Sequence, residues 1–493
     1  MRRLLHLGCV IAGLLLAACG QEELQHADIY ITADAEGFYS SRWEQNQTIG
    51  GYGTLKKFIQ NLQPPFLLFD GGNWLGSVPE NALTKGAFIV PFLQEIPYTA
   101  ATLSAPDFMH GWPALRSIVR GMPYPFIVSN LRLENTIPWP LHDYQIRTIG
   151  PLKIGIFGLM QADQVSSKEV RLTGISIVDP LQTAQEMTAL LKEKQVDYII
   201  VLSALGEPKE NGISDSVLAQ EVEGINLILS SNKDRPQAET EQIGDTFLVY
   251  PGAHLDSIGH VRISFDKNKQ IRQTEFEDIV LSREQYGEDE TLAVRAAVLR
   301  KETEEKMNKR ITSSAQEIVT YEDRESPLGA LLTGCLHKWA KLDGAILNGS
   351  SIRSSLPQGE IMEYDVYKMY PYGDNITFVT LKGAALIQAL QNSLNAENNF
   401  PQVAGLKVEY TQTSAGKLVK KIVLANGRIV RPNEVYRVAV TDHILAGGFG
   451  HDAFINALEF KNTFVEARQI MRACLLKQKQ IEAAESSHFK EVK

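Results

Sequence analysis

Between Asp28 and Glu277, short apolar, β-branched runs alternate with amphipathic stretches, and this alternation limits the architectures open to the first half of the chain. Asp28-Ile29-Tyr30-Ile31, Phe66-Leu67-Leu68-Phe69, Ile154-Gly155-Ile156-Phe157, Tyr198-Ile199-Ile200-Val201-Leu202 and Leu227-Ile228-Leu229 read as buried strands. Gln182 to Lys194 carries apolar residues at helical spacing and ends in lysines, as a helix does. Strands alternating with helices predict a layered α/β domain, in which ligands gather in the loops after the strand ends.

Ser282 to Ile311 is densely charged and poor in Gly and Pro, with Leu292, Ala296, Leu299 and Met307 at helical spacing; it predicts a helix connecting two domains. A second, α+β domain follows from Ile318 to Leu476. Its predicted helices lie around Leu328-His337 and Gly383-Asn395, and its strands near Gly344-Leu347, Ile376-Leu381, Leu406-Tyr410, Lys420-Leu424 and Tyr436-Val440. The expected organisation is a signal peptide over 1–18, an α/β domain over 26–280, a connecting helix over 281–313, an α+β domain over 314–477 and a frayed polar tail over 478–493.

The N-terminus begins Met1-Arg2-Arg3, continues almost wholly apolar from Leu4 to Ala18 and closes with small residues before Cys19. This is the pattern of a signal peptide, and about 15 apolar residues fall short of the ~20 that span a bilayer. The Leu16-Ala17-Ala18-Cys19 ending resembles a bacterial lipobox, implying cleavage before Cys19 and a lipid there that tethers the chain. The alternative is an ordinary secretory signal cut elsewhere. With a lipid at Cys19 the expected location is the bacterial cell envelope, and Gly20 in place of aspartate favours the outer membrane, facing the periplasm, in a Gram-negative host. Beyond Cys19 only Cys335 and Cys474 remain, so at most one disulfide is available and stability must come from large apolar cores. A net charge of −9 gives no basic footprint and argues against a nucleic-acid polymer as partner.

Residues from about Asp28 to Asp266 resemble the calcineurin-like metallophosphoesterase domain of periplasmic 5'-nucleotidases and UDP-sugar hydrolases, a family whose strand-end loops hold two divalent metals. The resemblance rests on loop order and framing. Thr32-Ala33-Asp34-Ala35-Glu36-Gly37 keeps the first aspartate and puts Glu36 where histidine is expected. Phe69-Asp70-Gly71-Gly72-Asn73 places Asn73 where the bridging aspartate belongs, and Ser104-Ala105-Pro106-Asp107 loses the metal-binding asparagine and catalytic histidine to Ala105 and Pro106. Ala204 replaces a further histidine, and Asn232 and Asp234 replace the last pair. Only Asp34 survives unchanged.

The resemblance therefore implies the family fold without an intact two-metal centre. Asp34, Glu36, Asn73 and Asp234 offer oxygen donors without an imidazole, a set suited to one hard cation such as Ca²⁺ or Mg²⁺; the bland alternative is a set of solvated loop carboxylates. His110, His254 and His260 are more simply read as packed or exposed than as catalytic, the last two in a strand-like stretch.

The second half resembles the 5'-nucleotidase C-terminal domain through Asn348-Gly349-Ser350-Ser351-Ile352-Arg353, Tyr370-Pro371-Tyr372-Gly373-Asp374-Asn375 and Phe400-Pro401-Gln402-Val403-Ala404-Gly405. By that resemblance Arg353, Tyr372, Asp374 and His443 would line a cleft for a nucleotide-like small molecule. Phe449 stands where an aspartate would contact ribose. The alternatives are ordinary packing for the rings and a structural ion pair for Arg353. Three functions remain in view: a catalytically impaired family member keeping a binding cleft, a hydrolase of nucleotides or related phosphoesters using a rebuilt oxygen-ligand site, and a scaffold for an envelope partner.

Overall fold

The computed structural model describes residues 24–44, 46–161, 175–206, 213–231, 237–396, 399–447, 451–484 and 487–492. The proposed lipid site Cys19 and the site residues Asn232, Asp234 and Phe449 lie outside them.

Two sheets stack in the first half of the chain. The seven-stranded sheet runs in the spatial order Ile271–Val280, Ser257–Phe265, Gln25–Thr32, Phe66–Asp70, Ala100–Ala101, Phe126–Ile127 and Leu141–His142. Gln25–Thr32 pairs parallel with Phe66–Asp70 and antiparallel with Ser257–Phe265. The six-stranded sheet centres on Leu152–Met160, Tyr198–Ala204 and Leu227–Ser230, all parallel. Ile29, Ile31, Leu67 and Phe69 of the first sheet share one core with Ile154, Ile156, Ile200 and Leu202 of the second. Outside the first sheet, helix Gly51–Gln60 contributes to a second core, and outside the other, helix Pro180–Glu193 contributes to a third. The result is four layers, helix, sheet, sheet, helix. It explains the uniformly apolar strand runs, since strands covered on both faces cannot alternate polar and apolar residues.

The connecting segment is shorter than the expected helix. A single turn at Arg283–Tyr286 ends at Gly287, whose φ is 79°, and the helix proper runs over Glu290–Met307. Asp289 caps it by accepting the backbone N–H of Leu292, and Ile311 falls instead in the strand Arg310–Ser314.

The second half holds a five-stranded sheet ordered Pro401–Ala404, Gly344–Asn348, Val435–Thr441, Asn375–Lys382 and Glu459–Glu466. Cys335 and Cys474 form a disulfide that ties helix Pro327–Ala340 to helix Ala467–Leu476. The tail is not frayed throughout. Phe489–Glu491 lies parallel to Leu406–Thr413 as the outer strand of a three-stranded sheet, and the Phe489 ring meets Phe400 edge-on at 4.8 Å. Among the described residues no helix is long and apolar enough to cross a membrane.

Candidate functional site

Loops following the parallel strands Gln25–Thr32 and Phe66–Asp70 run side by side, joined by Asp34 N–H to Gly72 O (3.0 Å) and Glu36 N–H to Asn73 O (2.9 Å). Their approach is close: a Cβ at Gly76, where φ is 54°, would stand 1.9 Å from the Glu36 carbonyl oxygen. Asp34, Glu36 and Asn73 all take left-handed backbone, with φ of 51°, 46° and 61°. That conformation is uncommon away from glycine, and it turns the three side chains toward one point.

What meets at that point is a hydrogen-bonded knot. The Asn73 Nδ2 donates to Asp34 Oδ1 at 2.8 Å and to Glu36 Oε1 at 3.1 Å, so the amide stands between the two carboxylates. Ser231 Oγ donates to the same Asp34 oxygen at 2.9 Å. His254 Nε2 lies 3.4 Å from Glu36 Oε2, and this contact pushes the imidazole up from its ordinary value. His254 occupies a turn with φ of 63°, not a strand; only His260 lies in the strand Ser257–Phe265. The position of His254 beside Glu36, 218 residues earlier in the chain, had no local sequence signal.

The third loop is held by a buried acid. Asp107 accepts the backbone N–H groups of Asn73 (2.9 Å), Trp74 (3.0 Å) and Ser104 (2.9 Å) and the Ser104 hydroxyl (2.9 Å). Ala105 and Pro106 bring no donor atom there. Ala204 ends its strand in the apolar core, and beneath it Ser203 and Ser230 both donate to buried Asp215. Two-metal phosphoester chemistry uses both ions to hold attacking and leaving oxygens, and a carboxylate bridging them. The residues present do not fit that centre. A neutral amide occupies the bridging position with its nitrogen facing the acids, and two expected ligands are alanines. Among the described residues no group of three or more His, Cys, Asp or Glu side chains could hold a metal ion.

The second set of candidate residues lies in the C-terminal half. Arg353 Nη1 donates to Ser350 O at 3.3 Å and sits 3.5 Å from Glu322 Oε1. Tyr372 is half-buried, with its ring edge-on to Tyr370 at 5.8 Å; the Tyr370 hydroxyl donates to Asp374 Oδ2 at 3.0 Å. His443 falls in the short helix Asp442–Leu445, which also presents Asp442 to the Asn375 N–H. A residue that sequence reasoning missed is His451, directly after the Gly-rich turn. It is fully buried, and its Nε2 lies 2.7 Å from Asn348 Oδ1 of the Asn-Gly loop. Burial, followed by the field of His443, drives its pKa down to about 3, so the ring is neutral. Asn348 Nδ2 and His451 Nδ1 are buried without a hydrogen-bond partner among the described residues, two polar atoms left over beside the Asn-Gly loop.

The two halves touch at these loops. A Cβ on Gly373 would lie 3.2 Å from His110 Nδ1, while His110 Nε2 is 2.8 Å from Asn81 Oδ1. His110 is thus a seam residue, packed where the two halves meet.

Stacked sheets flanked by helices, with site loops at the ends of the parallel strands and a following α+β unit, define the two-domain metallophosphoesterase architecture. Residues 306–456 match the family described as 5'-nucleotidase, C-terminal domain. The chain is 29% identical over 351 residues to the trifunctional nucleotide phosphoesterase protein YfkN of Bacillus subtilis, covering 64% of this chain and 23% of that protein's length. It is 23% identical over 490 residues to the 5'-nucleotidase of Vibrio cholerae, covering 87% of each. The solved 5'-nucleotidase precursor from Thermus thermophilus shares the fold at a TM-score of 0.65 and 21% identity, covering 95% of this chain and 99% of that one. The chain is thus similar to 5'-nucleotidases over most of its length, and residues 306–456 carry the match to their C-terminal domain.

Proposed function

We propose that this chain is a family member that has given up phosphoester hydrolysis and keeps a cleft for a nucleotide-like small molecule, held in the bacterial envelope by a lipid on Cys19. The observation that carries the first part is the Asn73 amide donating to both Asp34 and Glu36, which puts a neutral donor where hydrolysis needs a bridging carboxylate and two cations. The second part is supported by Arg353, which donates to Ser350 O in the loop that begins at Asn348, and by the buried Asn348–His451 pair, two of whose polar atoms are unpartnered among the described residues. A fold does not settle the chemistry of its site, so family membership alone does not restore activity.

The alternative, a hydrolase with a rebuilt oxygen-ligand site around one Ca²⁺ or Mg²⁺, draws on the convergence of Asp34, Glu36 and Asn73. The deciding experiment assays the chain from Gly20 onward with AMP, UDP-glucose and a generic phosphoester across Mn²⁺, Mg²⁺, Co²⁺, Zn²⁺ and Ca²⁺, with bound metal measured on the same sample. No turnover is expected. Turnover that disappears in an Asp34→Ala, Asp234→Ala double variant would establish the hydrolase instead. The anchor is tested separately: the full chain should partition into detergent, and Cys19→Ala should abolish that partitioning.

A further inference from the structure

We propose that a cavity in the first half of the chain, outside the two sets of residues described above, binds a small aliphatic polyamine. The cavity, of about 420 Å³, lies between the hairpin strands Arg42–Glu44 and Gln47–Ile49, the turn before strand Ser257–Phe265, and the outer strand Ile271–Val280. That volume falls in the range of small-molecule sites. Its walls combine three carboxylates, Glu44, Asp256 and Asp278, with the apolar surfaces of Ile49, Phe276 and Val280. Among the described residues no lysine, arginine or histidine lines it.

Arg42 is already divided between two of these acids: its Nε donates to Glu44 Oε2 at 2.9 Å, and its Nη2 pairs with Asp256 Oδ2. The other Asp256 oxygen, Oδ1, is buried without a hydrogen-bond partner among the described residues. Burial pushes the Asp256 carboxyl up, and the opposing pull of Arg42 does not bring it back to its ordinary value. Asp278 makes no ion pair among the described residues and is held by the Ser257 hydroxyl. Gly252 leaves that carboxylate reachable, since a Cβ there would stand 2.3 Å from Ser257 Oγ and 3.6 Å from Asp278 Oδ1. Three carboxylates thus share one guanidinium, and negative charge is left over around a space with apolar walls. A bare metal ion does not fit it, because no three acidic or imidazole side chains among the described residues converge closely enough to hold one. A polyamine does: its ammonium groups are spaced along methylene stems, so each can meet a different carboxylate while the methylenes lie on Ile49, Phe276 and Val280. Glu44 and Asp278 offer acceptors at the cavity surface, and Asp256 adds its field from deeper in the wall.

The test is calorimetric titration of the chain from Gly20 onward with spermidine at fixed ionic strength, with Mg²⁺ and uncharged hexanediol as comparators. Asp278→Asn and Asp278→Lys are the variants; the residue is on the exposed side of an outer strand, and thermal melts check that both fold. Expected is saturable spermidine binding at least about tenfold tighter than that of Mg²⁺, and no binding of hexanediol. Asp278→Asn should weaken spermidine roughly tenfold, and Asp278→Lys should abolish its binding by placing the chain's own ammonium in the cavity. Absence of spermidine binding, Mg²⁺ binding as tightly as spermidine, or unchanged affinity in the two variants overturns the proposal, and each leaves the C-terminal ligand reading untouched.

Discussion

Trp74 donates its indole N–H to Asp70 Oδ1 across 2.5 Å, binding the second loop back onto the end of the strand that launches it. The same carboxylate accepts Gly72 N–H at 2.8 Å and the Thr32 hydroxyl at 2.7 Å, yet burial outweighs these donors and pushes Asp70 up to about 6. Because the folded value lies above the ordinary 3.8, Asp70 favours the folded state most when protonated. That contribution is full below pH 3.8 and is lost as pH rises through about 6, a change of about 3 kcal/mol. Asp70→Asn should therefore gain stability relative to the wild type between pH 4 and pH 7, whatever constant offset the substitution adds. Melting temperatures of both proteins across that window decide the matter; a difference independent of pH would contradict it.

Asn73→Asp should convert the knot into three adjacent carboxylates. In chelator the variant should be less stable than the wild type by about 1–3 kcal/mol, since two hydrogen bonds become like-charge contacts. Millimolar Ca²⁺ or Mn²⁺ should recover most of that loss, because an ion that binds only the folded state stabilises it. Calorimetry of wild type and variant with and without the ion separates the two. A variant as stable as the wild type in chelator would mean that Asn73 does not hold the acids apart.

The Cys335–Cys474 bridge spans 139 residues of sequence. In the chain-entropy account a loop of that size stabilises by up to about 5 kcal/mol. Reductant, or a Cys335→Ser, Cys474→Ser double variant, should lower the stability of the C-terminal half by about 2–5 kcal/mol, seen as an earlier unfolding transition in urea. The two-sheet half should unfold as before.

Removing everything after Ala484 should unprotect the strand Leu406–Thr413. The truncation deletes the Phe489 ring on Phe400 and the 2.6 Å contact between His488 Nδ1 and Glu325 Oε1. A loss of about 1–3 kcal/mol is expected. Hydrogen exchange at Val408 and Tyr410, whose strand pairs with Phe489–Glu491, reports it locally.

Elements with a local signature were legible in the chain. Ile199-Ile200-Val201 could hardly be anything but a covered strand, and the Asn348-to-Arg353 and Tyr370-to-Asn375 loops carried their family in their order. Asp34, Glu36 and Asn73 were read together, with Asp234, because the family resemblance put them at one metal position. What could not be read were partners chosen by tertiary packing. Nothing near Glu36 points to His254, and nothing near Asn73 says that Asp107, 34 residues on, will accept its backbone N–H. Order in the tail was hidden for a similar reason: Phe489–Glu491 is short, with two of its three residues charged, and only its alignment beside Val408 makes it a strand. Gly287 breaks the segment where the charged run, poor in Gly and Pro, predicted one continuous helix.

Asp107 and its four donors have one more implication. Asp107 fixes the shape of these loops with its own carboxylate, clasping Asn73, Trp74 and Ser104 together. On the proposed reading, maturation does not depend on ion supply, and the yield of folded protein from a chelator-treated culture should match that from a metal-replete one.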